Sequence, residues 1–538
     1  MDGGRLTDAP HSAWHPGPWL AIAVIVVLIC GGVPLASLVI AAFGDLPAAG
    51  AALLSPRTAM LVMNTVRLGF IVAVLAGGIG TALGVLLSKT DLPGRRILIA
   101  LLTFPLFLPP YLLALGWFTV LGRQGLVAAM LGPRAGAATS DAFFGLGGAS
   151  LVLTVAYTPI VLHLVRIGLT SIDPATEEAA RLRFRWLRIV RRIHLPLIAP
   201  AVVLGMLLAF ILVIGEFGVP AYVRYPVFSG AVFTQFAAFL DIRAAVVTSI
   251  PLAMLVLGGV AAERYWLRAR VQFLGRMRTV AVAAPLGAWR IVATTGTWMY
   301  ALVTVVLPLA GLAIDAGGAV NYLAALRGAG ASVVESLWTA AVAASLITAT
   351  GLLLAYLVER TARGRRNVLD TALLLLFATP GTVLGVALIL MWNRAGLTYV
   401  YGSVGIILIS YVAHYTPLAA RAIGVSLQTI SRNVEEAARI DNLSWTRMVR
   451  RVLLPLLAPA IAGAWALAFI FCVRDLDLVM TVHPPGVETL PIRLYTLMAN
   501  TASSVTAALG VIMVTLTAAC VVAVGVALAF VRRISAWT

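Results

Sequence analysis

Lysine is almost absent: Lys89 is the only one in 538 residues. Cysteine occurs three times, histidine six times, and only 11% of residues carry charge. Each shortage excludes something. A phosphate-binding P-loop needs Gly-Lys-Ser/Thr with its lysine on the phosphates, and Lys89 follows Ser88 rather than glycine. The chain therefore supplies no nucleotide site of that kind. Cys30, Cys472 and Cys520 lie inside apolar runs with neither disulfide nor zinc spacing. His194 and His483 have no second ligand at metal-binding spacing, so no resident metal and no catalytic constellation is expected. The shortage of charge, with a mean hydropathy of +1.00, excludes an ordinary soluble globular domain.

What is present is apolar sequence in long runs. A bilayer-spanning helix needs about 20 residues. Such runs fall at 19–43, 61–88, 97–121, 148–168, 200–222 and 244–262, then at 291–316, 333–357, 368–392, 403–424, 457–480 and 505–531. The expectation is an all-α polytopic membrane protein with twelve transmembrane helices. The first run is too long for a signal peptide and lacks a small-residue cleavage pattern, so it reads as a retained anchor.

The net charge of +18 could suggest nucleic acid. Its distribution points elsewhere, because arginine concentrates in segments that share one side if the N-terminus is cytoplasmic. That is the positive-inside bias, which sets orientation and predicts both termini in the cytoplasm. No nucleic-acid partner is expected.

The chain also repeats itself. Tyr157-Thr158-Pro159 recurs as Tyr415-Thr416-Pro417, and Gly94-Arg95-Arg96 recurs as Gly364-Arg365-Arg366. The second pair has the larger offset, which fits a longer first-half loop around 122–148. Most telling, EEAARLRFRWLRIVRRIHLP at 177–196 recurs as EEAARIDNLSWTRMVRRVLLP at 435–455. Both segments are arginine-rich and belong on the cytoplasmic face, so an even number of spans separates them. The halves are therefore two parallel six-helix repeats: residues 1–262, a basic cytoplasmic linker at 263–290, and residues 291–538.

Each repeated segment predicts a short helix with acid at its start, where carboxylates favour the helix dipole. Asn442 can end the second copy in a left-handed turn. The arginines behind it (Arg447, Arg450 and Arg451, or Arg188, Arg191 and Arg192) suit lipid phosphates. The Glu-Glu-Ala-Ala start does not, and points to a docked protein.

These segments resemble the EAA loop of type I ABC importer permeases: Glu-Ala-Ala, three residues, Gly, nine residues, Ile/Val, any residue, Leu-Pro. The second copy matches with Glu436-Ala437-Ala438, Asn442 at the glycine position, Val452 and Leu454-Pro455. The first matches with Glu178-Ala179-Ala180, Ile193 and Leu195-Pro196. It is one residue short and has no Gly or Asn at the turn, so its helix could instead run on. The resemblance implies that Glu177, Glu178, Ala179 and Ala180, with Glu435, Glu436, Ala437, Ala438 and Asn442, form coupling helices for two cytosolic ATPase subunits. Glu178 and Glu436 are the foremost candidates for that contact. It implies ATP and magnesium on those partners and none on this chain. It also implies a periplasmic or extracellular solute-binding protein, and a place in the bacterial cytoplasmic (inner) membrane as a non-enzymatic permease subunit.

Twenty residues past each Leu-Pro stands an acid, Glu216 and Asp475. At about 1.5 Å per helical residue they lie roughly 30 Å from the cytoplasmic proline, near the outer mouth. Acids at that depth mark a pathway or are held in an ion pair, here with Arg474 or Arg67. Glu216, Asp475 and Arg474 are the candidate pathway residues. Glu216-Phe217-Gly218 and the run from Pro484 to Arg493 (PPGVETLPIR) resemble the ferric-iron subgroup, and hard oxygen ligands suit a hard cation. Thiamine or a phosphonate-like anion is the alternative solute. A proton-coupled secondary transporter is the alternative class, which would leave the paired cytosolic segments unused.

Overall fold

The computed structural model describes residues 17–44, 50, 54–266, 284–361, 363–500 and 503–535, and the elements formed by these residues are helices. Eleven of those helices are long and apolar enough to cross a membrane, and a bent pair makes twelve.

The first half runs through α1 (Gly17–Phe43), α2 (Pro56–Lys89), a short α3 (Arg95–Thr103), α4 (Pro110–Leu121), which with the helix after it makes the span Pro110–Leu131, and α5 (Leu146–Thr170). A short amphipathic α6 (Pro174–Arg181) follows, then α7 (Trp186–Gly215) and α8 (Ile242–Trp266). The second half repeats the series. Its members are α9 (Gly287–Ala316), α10 (Ala319–Arg360), the arms α11 (Arg363–Ala378) and α12 (Gly381–Trp392), α13 (Val404–Thr429), α14 (Arg432–Ile440), α15 (Trp445–Arg474) and α16 (Ser503–Ser535).

In each half the same three helices form the packed centre: α2, α5 and α7 in one, α10, α13 and α15 in the other. Small residues bring the first two together, as hydrocarbon offers no hydrophobic drive between helices. A Cβ on Gly80 would sit 2.7 Å from Val161 Cβ, and one on Gly351 would sit 2.9 Å from Ala419 Cβ. The first helix of each repeat crosses to the other half. α1 packs on α10, α12 and α13, while α9 packs on α3 and α4 as well as α16. The halves are interlocked rather than merely abutted.

The expected spans at 97–121 and 368–392 are both broken. In the first, α3 ends in a tight turn at Phe104–Phe107 before α4 begins at Pro110. In the second, the arms meet at 100° across Thr379 and Pro380. Proline removes an amide donor and drives the residue before it out of the helical region. Pro109-Pro110 and Pro380 therefore turn uninterrupted apolar runs into bent ones. Of the linker at 263–290, α8 takes the start and α9 the end, and residues 267–283 lie outside the described residues. Its far end is pinned: Ala284 N donates to Lys89 O at 2.9 Å and Leu286 N to the Asp91 side chain at 2.9 Å.

Candidate functional site

The two Glu-Glu-Ala-Ala segments form matching helices with matching starts. Asp173 caps α6 by accepting from Ala175 N at 3.1 Å, and Ser431 caps α14 by accepting from Asn433 N at 3.2 Å. Their ends differ. Asn442 adopts φ 53°, and Leu443 N reaches back to Ala438 O at 3.0 Å, the bonding of a left-handed helix stop. The first helix also stops, at Arg181, and residues 182–185 form the turn with no residue in the left-handed region. Both turns are four residues long, so the missing residue is lost from the last turn of α6.

The paired acids divide, and Glu178 and Glu436, the foremost candidates for partner contact, are the outward pair. Glu177 and Glu435 point into the membrane domain, at 1% and 5% exposure, and Ala180 and Ala438 are buried beside them. Glu178, Glu436, Ala179 and Ala437 face outward. Lys89, at the end of α2, binds the inward Glu177, and His194 Nε2 lies 3.1 Å from the same carboxylate oxygen. Burial alone would raise the Glu177 carboxyl, but the bonds from His194 and Lys89 outweigh it and hold it below the usual range. At the end of α10, Arg360 Nε holds Glu435 at 2.6 Å, and Tyr356 donates to its other oxygen at 3.1 Å. Each Glu-Glu-Ala-Ala segment is thus bolted to the long second helix of its own half by an inward acid, and its second acid faces outward.

The second constellation lies at the far ends of α7 and α15. Both helices run unbroken to the residue before the acid, and Glu216 and Asp475 then take nearly the same extended conformation. Tyr157 donates to Glu216 at 3.0 Å, and Tyr415 donates to Asp475. Each acid also accepts a backbone amide three residues on, Val219 N at 3.4 Å and Leu478 N at 3.0 Å. The tyrosine of each Tyr-Thr-Pro repeat therefore holds the acid of its own half. Neither acid forms an ion pair with Arg474 or Arg67 among the described residues.

Between the halves these groups line a cavity of about 90 Å³ with Tyr111, His414, Arg474 and Asp477. Asp477 belongs to the site although the sequence reading passed over it: its carboxylate accepts Phe217 N of the other half at 3.3 Å. Its place two residues after Asp475 was the available signal. No cluster of three or more His, Cys, Asp or Glu side chains among the described residues could hold a metal ion.

Comparison with known proteins agrees with this architecture. Residues 347–536 match the family described as binding-protein-dependent transport system inner membrane component. A putative ferric transport system permease protein, FbpB 1 of Haemophilus influenzae, is 28% identical over 398 residues, covering 68% of this chain and 61% of that protein. The ferric transport system permease protein FbpB of Actinobacillus pleuropneumoniae is 28% identical over 391 residues, covering 68% and 56%. The molybdenum transport system permease protein ModB of Escherichia coli K12 is 33% identical over 135 residues, covering 25% and 57%. The chain thus spans about three-fifths of the length of the two ferric relatives.

Proposed function

We propose that the chain is a type I ABC importer permease of the inner membrane that forms the pathway of an ATP-driven importer for ferric iron, a reading supported by its similarity to binding-protein-dependent transport components and ferric permeases. The observation that carries the mechanism is the pair of outward acids, Glu178 and Glu436, on helices bolted to α2 and α10 by the inward acids. A push on α6 or α14 is then delivered to the packed centre of its half rather than lost in a loop.

Two cytosolic ATPase subunits would seat these helices, and ATP and magnesium would reside on them. This chain's one lysine is already buried against Glu177 and has no phosphate to meet. Closure of the ATPase pair draws α6 and α14 together and rocks the halves about the central cavity, giving alternating access. A solute-binding protein outside the membrane delivers the cargo, and both termini lie in the cytoplasm. Glu216, Asp475 and Asp477, with Tyr157 and Tyr415, give the pathway a hard-oxygen lining for a trivalent cation in transit, not a site that holds a metal. The names of the ferric relatives support the same cargo.

The test is uptake by the native complex in sealed vesicles, with ferric iron, thiamine and molybdate offered in turn. ATP-dependent ferric uptake supports the reading, and uptake of either other solute alone overturns the choice of cargo. ATP-independent uptake driven by a proton gradient would overturn the importer itself.

A further inference from the structure

Both halves line the central cavity, but not with the same chemistry, and Arg474 is one place where they differ. Its counterpart in the first half is Gly215, the residue before Glu216 as Arg474 is the residue before Asp475. Both sit against the broken span of the opposite half. A Cβ on Gly215 would lie 3.3 Å from Pro380 Cβ, at the α11–α12 break. The Arg474 guanidinium instead donates to Leu106 O, and to Leu108 O at 3.3 Å, at the break between α3 and α4. It also rests 4.6 Å over the Phe471 ring.

The attraction has a local cause. The carbonyls at the end of a helix have no intrahelical partner and carry partial negative charge, and the proline-induced break exposes such an end inside the membrane. The guanidinium satisfies the Leu106 oxygen at the end of the tight turn and the Leu108 oxygen in the extended link beyond it. Three carboxylates, Glu216, Asp475 and Asp477, line the same cavity. None of them is at ion-pair distance from Arg474 among the described residues. Arg474 therefore has two alternative sets of acceptors: the carbonyls of the opposite half, and the carboxylates of the pathway. A group with two discrete sets of partners is what a two-state gate needs.

We propose that Arg474 is a one-sided latch, a positioning residue whose bonds to Leu106 and Leu108 hold the two halves together at the cavity in the closed state. Opening transfers its guanidinium to the pathway carboxylates. The inference rests on the permease reading above but not on the identity of the cargo. On the Gly215 side the halves meet instead through Pro380 and the bond from Phe217 N to Asp477, and they part by pivoting about that contact.

The test uses Arg474→Gln and Arg474→Lys in the full chain. Amide exchange of the peptide covering residues 104–112 is read in the purified protein. ATP hydrolysis without receptor is read in the native complex. Arg474→Gln is expected to speed exchange in that peptide about tenfold, equivalent to about 1.4 kcal/mol, and to leave α6 and α14 unchanged. Receptor-independent hydrolysis should rise severalfold, with Arg474→Lys intermediate in both. Unchanged exchange at 104–112 overturns the latch. Faster exchange with unchanged hydrolysis overturns it too, because the contact would then be only structural. If Arg474→Gln fails to fold, Arg474→Lys decides by the same two readouts. Neither readout involves the transported solute, so a wrong cargo leaves this result intact.

Discussion

The two Glu-Glu-Ala-Ala segments hold the same position by different chemistry. In the first, Glu177 is locked by a lysine and lies beside a histidine, and the Lys89 and Glu177 side chains are each 2% exposed. In the second, Glu435 is locked by an arginine and a tyrosine, with side-chain exposure of 15% for Arg360 and 7% for Glu435. Duplication has preserved a geometric demand, an inward acid tying the short helix to the long second helix. It has left the cation free to vary. The difference should show in how each half fails when its tie is cut.

The largest effect is expected from Glu177→Gln. It leaves the Lys89 ammonium buried without its charge partner, and breaking a buried pair in this way costs about 3–5 kcal/mol. Glu435→Gln should cost less, about 1–3 kcal/mol, because Arg360 is partly exposed and can turn to water. Thermal unfolding of the two variants in detergent measures the gap. The double variant Lys89→Met, Glu177→Leu should recover much of the loss, and equal destabilisation by the two single variants would dissolve the contrast.

The outward acids should behave in the opposite manner. Glu178→Arg and Glu436→Arg change exposed side chains, so folding stability should move by no more than about 0.5 kcal/mol. Uptake should nevertheless fall at least tenfold as the ATPase is lost, read by transport in vesicles and by co-purification. A difference between the two variants would rank the shortened first segment against the second. Normal uptake by both would remove the coupling role.

A smaller effect separates the turns. At Asn442 the left-handed backbone costs a residue with a Cβ about 1–2 kcal/mol, which asparagine offsets locally and glycine avoids. Asn442→Ala should therefore lower the melting temperature slightly, and Asn442→Gly should not. The first turn, 182–185, has no left-handed residue, so Arg183→Ala should be neutral. Loss at both sites would mean that exposed loop packing, not backbone conformation, sets the cost.

How much of this was legible beforehand follows from what each signal physically encodes. Apolar runs encode burial in lipid, and they located the spans. They do not encode direction, so the breaks at Pro109-Pro110 and Pro380 passed for straight helices although the prolines were in plain view. Spacing encoded the left-handed stop at Asn442, where one residue decides the conformation. The loop resemblance nominated Glu178 and Glu436 for partner contact, yet spacing did not encode the ties that hold Glu177 and Glu435 inward, because they depend on α2 and α10 lying alongside. Lys89 was read only for what it could not do. Tyr157 and Tyr415 served as markers of the repeat, yet each stands the same distance in sequence, within one residue, from the acid it holds. The exchange of α1 and α9 between halves left no trace in the sequence, since a membrane helix is apolar whichever neighbour it meets.

The smallest expected effect is on pH dependence, and it sharpens the comparison at the first tie. The Glu177 carboxyl is held below its usual range in the folded chain because His194 and Lys89 outweigh the cost of its burial. A carboxyl depressed by folding contributes stability in full above its unfolded pKa of about 4.3, and loses it as pH falls through the lower folded value. The wild-type melting temperature should therefore fall through this acid window by more than that of Glu177→Gln, which has no such proton to take up. Identical acid slopes would mean that the carboxyl has the same affinity for protons folded and unfolded, and the lysine would then be a neighbour of Glu177 rather than its tie.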